Sequence, residues 1–265
     1  MRSICVRLSV TFGIAGAAMT PLAATGHITP ADYRNVGVSV PENASIPRSI
    51  VVTDSAGNRH NLDDLISRPT VLVFADYTCR TLCGPILDFV SDALEKSGLD
   101  RGQYQLLAVG INPKDGAKEA GEMRRTHIQA GSLLDHVTQF VTAEDSNIRR
   151  LTAALGYRYY YSAEDDVYVH PGAAYVLDAH GRVTRVLTGL GLSGADMRLA
   201  LIEASQGKIG TFSDQVRLLC SGFDPAHGIY TVRIWRVLQL AALATILALG
   251  GAIALFILSG RRRAA

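Results

Sequence analysis

The stretch Val73-Phe-Ala-Asp-Tyr-Thr-Cys79-Arg-Thr-Leu-Cys83-Gly-Pro85 reads as a strand that ends, a short loop and a helix that begins. Its strand starts earlier, as Thr70-Val-Leu-Val-Phe-Ala75, a β-branched apolar run of the kind that fills the centre of a sheet buried on both faces. Pro85 has no N–H, so it suits a first helical turn and not an interior. The helix should start near Leu82 or Cys83, which leaves Cys79 in the loop. Beyond it Ile86, Val90 and Leu94, with Phe89 and Ala93, keep helical spacing as far as Lys96. The three residues between the cysteines amount to roughly one helical turn, close enough to bring the two sulfurs together.

Outward from this stretch the pattern alternates. Gln105–Ile111 is a second buried strand, ended by Asn112-Pro113. Lys114–Gln129 is a polar helix, His136–Thr142 a third strand, and Asp145–Leu155 a helix with a good N-cap and Gly156 at its end. Tyr157–Tyr161 and Asp166–Tyr168 read as paired strands. Ala173–Leu177 and Val183–Leu187 form a hairpin, and Ala195–Ser205 is a last helix stopped by Gly207. Before the cysteines, Ser49–Val52 and Arg59–Leu62 make a hairpin around residues 55–58, followed by a short turn at Asp63-Asp64. The order β-α-β-α-β-α, then hairpin, then helix, specifies an α/β mixed sheet with flanking helices. A thioredoxin-like layout satisfies it, with Cys79 and Cys83 at the end of the first buried strand.

Both ends of the chain are apolar. Arg2 and Arg7, the run Leu8–Met19 and Ala23-Ala24 have the order of a secretory signal, taken here as residues 1–24. Val237–Leu258 carries no charge and is long enough to cross a bilayer of ~30 Å as a helix. Trp235 sits where an interfacial aromatic belongs, and Arg261, Arg262 and Arg263 follow as a cytoplasmic stop. The expected organisation is a linker at 25–47, a domain at 48–211, a juxtamembrane segment at 212–233, one transmembrane helix at 234–260 and a tail at 261–265. The amphipathic stretch Phe212–Leu219 would lie on the membrane surface. The formal charge of +2 over 265 residues gives no reason to expect a nucleic-acid partner.

Four cysteines, Cys5, Cys79, Cys83 and Cys220, are too few for a disulfide scaffold. Cys79 and Cys83 stand at a helix N-terminus with Arg80 beside them, and both features favour thiolate. Thiolate attacks disulfides and binds soft metals. A static disulfide or two buried thiols remain open readings of the bare C-x3-C spacing. Cys220 reads first as a structural or unreactive thiol and second as a redox partner of the pair. Six histidines, His27, His60, His127, His136, His180 and His227, lie in polar or loop-like contexts and read as solvated surface groups. His170 ends the Tyr168-Val169 strand and precedes Pro171-Gly172-Ala173. In a thioredoxin-like fold that loop faces the cysteine helix. Two thiolates and an imidazole suit Cu(I), and softness alone does not exclude zinc.

The segment Phe74–Leu87, the histidine loop Asp166–Ala173, and the pair Arg198–Thr211 with Cys220–Tyr230 together resemble the Sco/SenC family, in its bacterial branch that ends in a membrane helix. The likeness spans roughly residues 35–258. It implies a thioredoxin-like fold and a copper metallochaperone, with Cys79, Cys83 and His170 as ligands of a copper ion. The partner implied is cytochrome c oxidase subunit II, or a similar copper protein, whose dinuclear copper centre is being assembled; an upstream copper donor or thiol reductant is implied as well. The implied location is the bacterial inner membrane, single-pass, with the soluble domain in the periplasm. The alternative is a membrane-anchored thiol–disulfide oxidoreductase in which Cys79 and Cys83 are catalytic. An interaction protein with a structural disulfide is a third reading. The chain departs from the family pattern at Arg80, where many members have proline, at Asn112, where Asp-Pro is common, and at Pro171 directly after the histidine.

Overall fold

The computed structural model describes residues 35–79, 83–163, 166–189, 192–224, 229–232, 238–239 and 241–252. The expected signal segment 1–24, and residues 253–265 with the arginine cluster, lie outside the described residues. Residues 241–252 are helical. Among the described residues no helix is long and apolar enough to cross a membrane.

The chain enters as β1 (Gly37–Val38) and a hairpin of β2 (Val51–Asp54) and β3 (Arg59–Asn61). β4 (Thr70–Ala75), α1 (Cys83–Lys96), β5 (Gln105–Gly110), α2 (Ala117–His127), β6 (Thr138–Thr142) and α3 (Asp145–Ala154) follow in the alternation the apolar pattern implied. Three short strands come next: β7 (Tyr157–Arg158), β8 (Tyr160–Ser162) and β9 (Val167–Val169). The hairpin of β10 (Ala173–Leu177) and β11 (Val183–Thr188) leads to α4 (Gly194–Ala204), α5 (Phe212–Cys220), β12 (Ser221–Asp224) and β13 (Ile229–Val232).

Seven strands form one mixed sheet in the order β11-β10-β4-β5-β6-β2-β3. β4, β5 and β6 run parallel, while β10 meets β4 antiparallel. Every residue of β4 and β5 is buried. Their side chains alternate between faces with period two. Val71, Val73 and Ala75 join α1, α2 and α4 on one face; Leu72 and Phe74 join α3, Leu155 and Tyr157 on the other. Each large apolar side chain so covered contributes ~1.5–3 kcal/mol. These two cores hold the end of β4, and with it Asp76, in a fixed place.

The long tyrosine strand pair splits in two. β7 pairs with β1, and only β8 pairs with β9, Tyr160 opposite Val169. Gly156 explains the split. It turns the chain at a left-handed φ of 64° so closely over Ser39 that a Cβ there would stand 1.9 Å from the Ser39 carbonyl oxygen. The N–H of Ser39 donates to the Gly156 carbonyl at 2.8 Å, which seats β1 against β7. Part of the expected linker is thus folded, and Ala44 and Ile46 are buried. The expected side-chain cap of α3 is absent: Asp145 is already helical, and Glu144 at the cap makes no side-chain bond to the helix.

Phe212–Leu219 is bound to the domain instead of standing free at its edge. Arg198 on α4 grips Asp214 with two bonds of 2.9 and 2.7 Å, the bidentate geometry that makes such pairs strong. Thr211 caps the helix onto the same carboxylate, and Leu218 packs on the core. β12 and β13 continue this attachment. The Tyr230 hydroxyl donates to Glu203, and the Arg185 guanidinium lies over Phe223.

Candidate copper and thiol site

Buried Asp76 follows β4 directly and organises the loop. One of its oxygens accepts from the Thr78 N–H at 3.2 Å, the Thr78 hydroxyl at 2.9 Å and the Asn112 amide at 3.2 Å; the other accepts from the Tyr168 N–H at 3.4 Å. One carboxylate therefore joins the ends of β4 and β5 to β9, the strand that carries the histidine. The Cys79 N–H donates to the Asp76 carbonyl at 3.3 Å, which closes the turn and leaves the cysteine side chain half-buried against the core.

Asn112 also donates to the Thr78 hydroxyl at 3.0 Å. This accounts physically for the departure from Asp-Pro. Asp76 and Asp115 are both buried here, and an aspartate at 112 would add a third carboxylate with no N–H to offer. Asp115 accepts from the Tyr77 N–H at 2.8 Å, and its Oδ1 is buried without a hydrogen bond among the described residues. Burial, reinforced by the charge of Asp76, pushes its carboxyl up to about 6. Tyr77 fills the space below, its hydroxyl 2.7 Å from the Ala108 carbonyl and 2.9 Å from that of Val141.

His170 stands between β9 and β10 and is largely desolvated. Its Nδ1 lies 2.9 Å from the Tyr157 hydroxyl and 3.3 Å from the Pro171 carbonyl. Tyr157 itself donates to that carbonyl at 2.9 Å. With its proton spent there, the hydroxyl accepts from Nδ1–H, which fixes the tautomer with a lone pair on Nε2. Burial pushes the imidazole pKa down; the Pro171 carbonyl and the negative charges of Cys79 and Asp76 pull the other way. Thiolate and imidazole are therefore in electrostatic reach of each other. Pro171 does not disrupt the loop: its carbonyl is the anchor of the arrangement.

Of the three expected ligands, Cys79 and His170 are brought to one end of the sheet. Cys83 opens α1, and its side chain, like Arg80, lies outside the description. Among the described residues no three His, Cys, Asp or Glu side chains form a ready metal cage. Cys220 ends α5, with its side chain likewise outside the description. Two features of the histidines were missed in the sequence. Tyr157 carried no signal beyond its place in a tyrosine run. His127, read as a solvated surface group, is mostly covered: its side chain is 14% exposed and pairs with Asp88 at 2.7 Å.

A thioredoxin-like sheet with a thiol on the loop after its central strand and a tautomer-fixed imidazole facing that loop defines a class of thiol and soft-metal proteins. Comparison makes the class particular. The SCO1/SenC family model matches residues 39–201, and the chain belongs to that family. Among solved structures it is similar to a SCO1/SenC family lipoprotein from Bacillus anthracis, with 15% identity over 64% of this chain and 99% of that one and a TM-score of 0.53. It is likewise similar to Arabidopsis thaliana ScoI with copper bound, with 14% identity over 62% and 99% and a TM-score of 0.52. BsSco, described as a member of the Sco family of cytochrome c oxidase assembly proteins with a disulfide switch, matches with 17% identity over 64% and 99% at a TM-score of 0.53. At these identities the structural likeness establishes the fold. A search of the curated proteins returned no match.

Proposed function

We propose that this chain is a membrane-tethered copper carrier that holds copper through Cys79, Cys83 and His170 and serves the assembly of the dinuclear copper centre of cytochrome c oxidase subunit II. The observation that carries this reading is the Tyr157–His170–Pro171 arrangement, which keeps a lone pair on Nε2 of a neutral imidazole within electrostatic reach of the Cys79 thiolate. Metal-binding histidines are held in this way by a partner on the other ring nitrogen. A soft donor set of thiolate and imidazole fits copper, which the similar Arabidopsis structure holds bound. The apolar run Val237–Leu258, Trp235 and the three terminal arginines support a single transmembrane helix; the apolar N-terminus supports export. The working domain then lies in the periplasm of a bacterium, anchored to the inner membrane.

A second reading rests on the half-buried thiol at the loop. The thiolate of one cysteine attacks a partner disulfide, and the other cysteine displaces the mixed species; the pair ends oxidised and the partner gains two thiols. Anaerobic Cu(I) titration of the reduced full chain, with His170→Ala and Cys79→Ser beside it, separates the two. Loss of copper affinity in both variants upholds the carrier. A His170→Ala protein that binds copper like wild type but reduces disulfides more slowly favours the reductase. Neither activity in wild type leaves a structural role.

A further inference from the structure

The tyrosines beside His170 do more than bury it. Tyr157, Tyr159 and Tyr161, with Tyr168 of β9, line a cleft of about 760 Å³. Their rings pack in a continuous row, with centres 6.2 Å apart from Tyr157 to Tyr159, 5.9 Å from Tyr159 to Tyr168 and 5.1 Å from Tyr168 to Tyr161. The row begins at the ring whose hydroxyl meets Nδ1 of His170 and ends at Tyr161, which is 41% exposed. Aromatic rows inside a core close under other side chains; this one ends in solvent. Rings already packed on one another lose little freedom on contact, which is why tyrosine is favoured at recognition surfaces. The same cleft is cationic. Asp145 is the acid of its lining, and Arg149, one helical turn away on α3, already holds it at 2.7 Å. Arg158 of β7 is exposed and makes no ion pair among the described residues, so it stands as positive charge in excess. Its guanidinium lies against Gly37 of β1, where a Cβ would stand 3.2 Å from Nη2.

We propose that this tyrosine–arginine cleft is the docking site for the protein that receives copper, and that it takes a segment of that protein carrying a carboxylate beside a flat apolar ring. The inference rests on the copper-carrier reading and adds where the partner lands. Arg158 matches the carboxylate, because its planar fork offers two N–H donors side by side. Tyr161 and Tyr168 match the ring, which stacks offset or edge-on against theirs. A lipid headgroup supplies the anion and not the ring. Tyr157 makes the cleft continuous with the histidine: it lines the one and holds the other. A segment seated here therefore brings its protein to the His170 side of the sheet.

The test titrates the copper-free soluble domain of the same organism's cytochrome c oxidase subunit II into the reduced full-length chain in detergent, by calorimetry. Cu(I) affinity is read separately by chelator competition, and circular dichroism reports whether each variant is folded. Arg158→Glu and Tyr161→Ser should each weaken docking roughly 10-fold, the size of one interface anchor, and leave Cu(I) affinity at the wild-type value. Arg101→Glu makes the same charge change on the turn before β5, at the opposite end of the sheet from the end of β4, and should alter neither. Added salt should weaken wild-type docking more than that of Arg158→Glu, because exposed charge pairs are screened. Full-strength docking in either variant overturns the inference, and so does a subunit II domain that does not bind the wild type. Two further results overturn the partner assignment while docking is unaffected: a dimer of the chain that Arg158→Glu abolishes, which gives the cleft to a second copy, and binding to phosphatidylglycerol vesicles that the same substitution abolishes, which gives it to the membrane. A wild type without Cu(I) affinity brings down the carrier reading itself, a result visible before any variant is made.

Discussion

His170 and His127 are the same side chain in opposite settings. His170 is held by neutral partners, a phenol and a carbonyl, inside a desolvated pocket of tyrosines: Tyr157 has its ring centre 6.4 Å away, with Tyr159 and Tyr168 beyond. That setting keeps the imidazole neutral and still. His127 is held by a carboxylate at the edge of a groove open to solvent. A neutral imidazole held by neutral partners is the kind of setting in which metal-binding histidines are oriented; His127 differs in having a carboxylate behind it.

The comparison breaks most decisively at Cys79. Cys79→Ser should lower Cu(I) affinity by more than about 100-fold, beyond what loss of a supporting residue costs, as read by competition with a colorimetric Cu(I) chelator. If affinity survives, Cys79 does not hold the ion. A smaller effect sharpens the contrast between the supports. Tyr157→Phe should lower equilibrium affinity about 10-fold, because it frees the His170 tautomer. Asp88→Asn, which changes the partner of a histidine outside the proposed ligand set, should leave that affinity near wild type. Equal effects of the two on affinity would erase the distinction drawn here.

A separate effect, on stability and not on affinity, concerns the Asp115 carboxylate that accepts from the Tyr77 N–H. The Asp115 carboxyl is pushed from its ordinary value near 3.8 up to about 6 in the fold. Between these values the folded protein binds more protons than the unfolded chain, so the contribution of Asp115 is complete below pH 3.8 and is lost as pH rises through 6. Asp115→Asn should therefore gain on wild type between pH 4 and pH 7, by about 1–2 kcal/mol after allowance for solvent screening. Denaturant unfolding at the two pH values measures it. A gap that moves the other way would mean that the ionised carboxylate is the form the loop requires.

Much of this was legible residue by residue. Thr70–Ala75 announced a buried strand because β-branched side chains on consecutive positions have no solvent face, and the strand stands at those residues. Pro85 and the spacing of Ile86, Val90 and Leu94 announced α1, which begins at Cys83. Gly156 announced a helix end, yet not that its bare Cα would seat β1 and divide the tyrosine strands. Asp76 was written in the same stretch as the cysteines, but nothing local says that its acceptors reach Asn112 and Tyr168.

Local order by itself determined the alternation of strands and helices, the place of Cys79 in a loop and of Cys83 at a helix start, and the two apolar ends. These follow from periodicity and from proline and glycine geometry, which act over a few residues. Only the tertiary structure decided what holds each histidine. Tyr157 lies 13 residues from His170, and Asp88 lies 39 from His127. A hydrogen bond between distant residues depends on how the sheet faces are packed, and no pattern of neighbours along the chain encodes it.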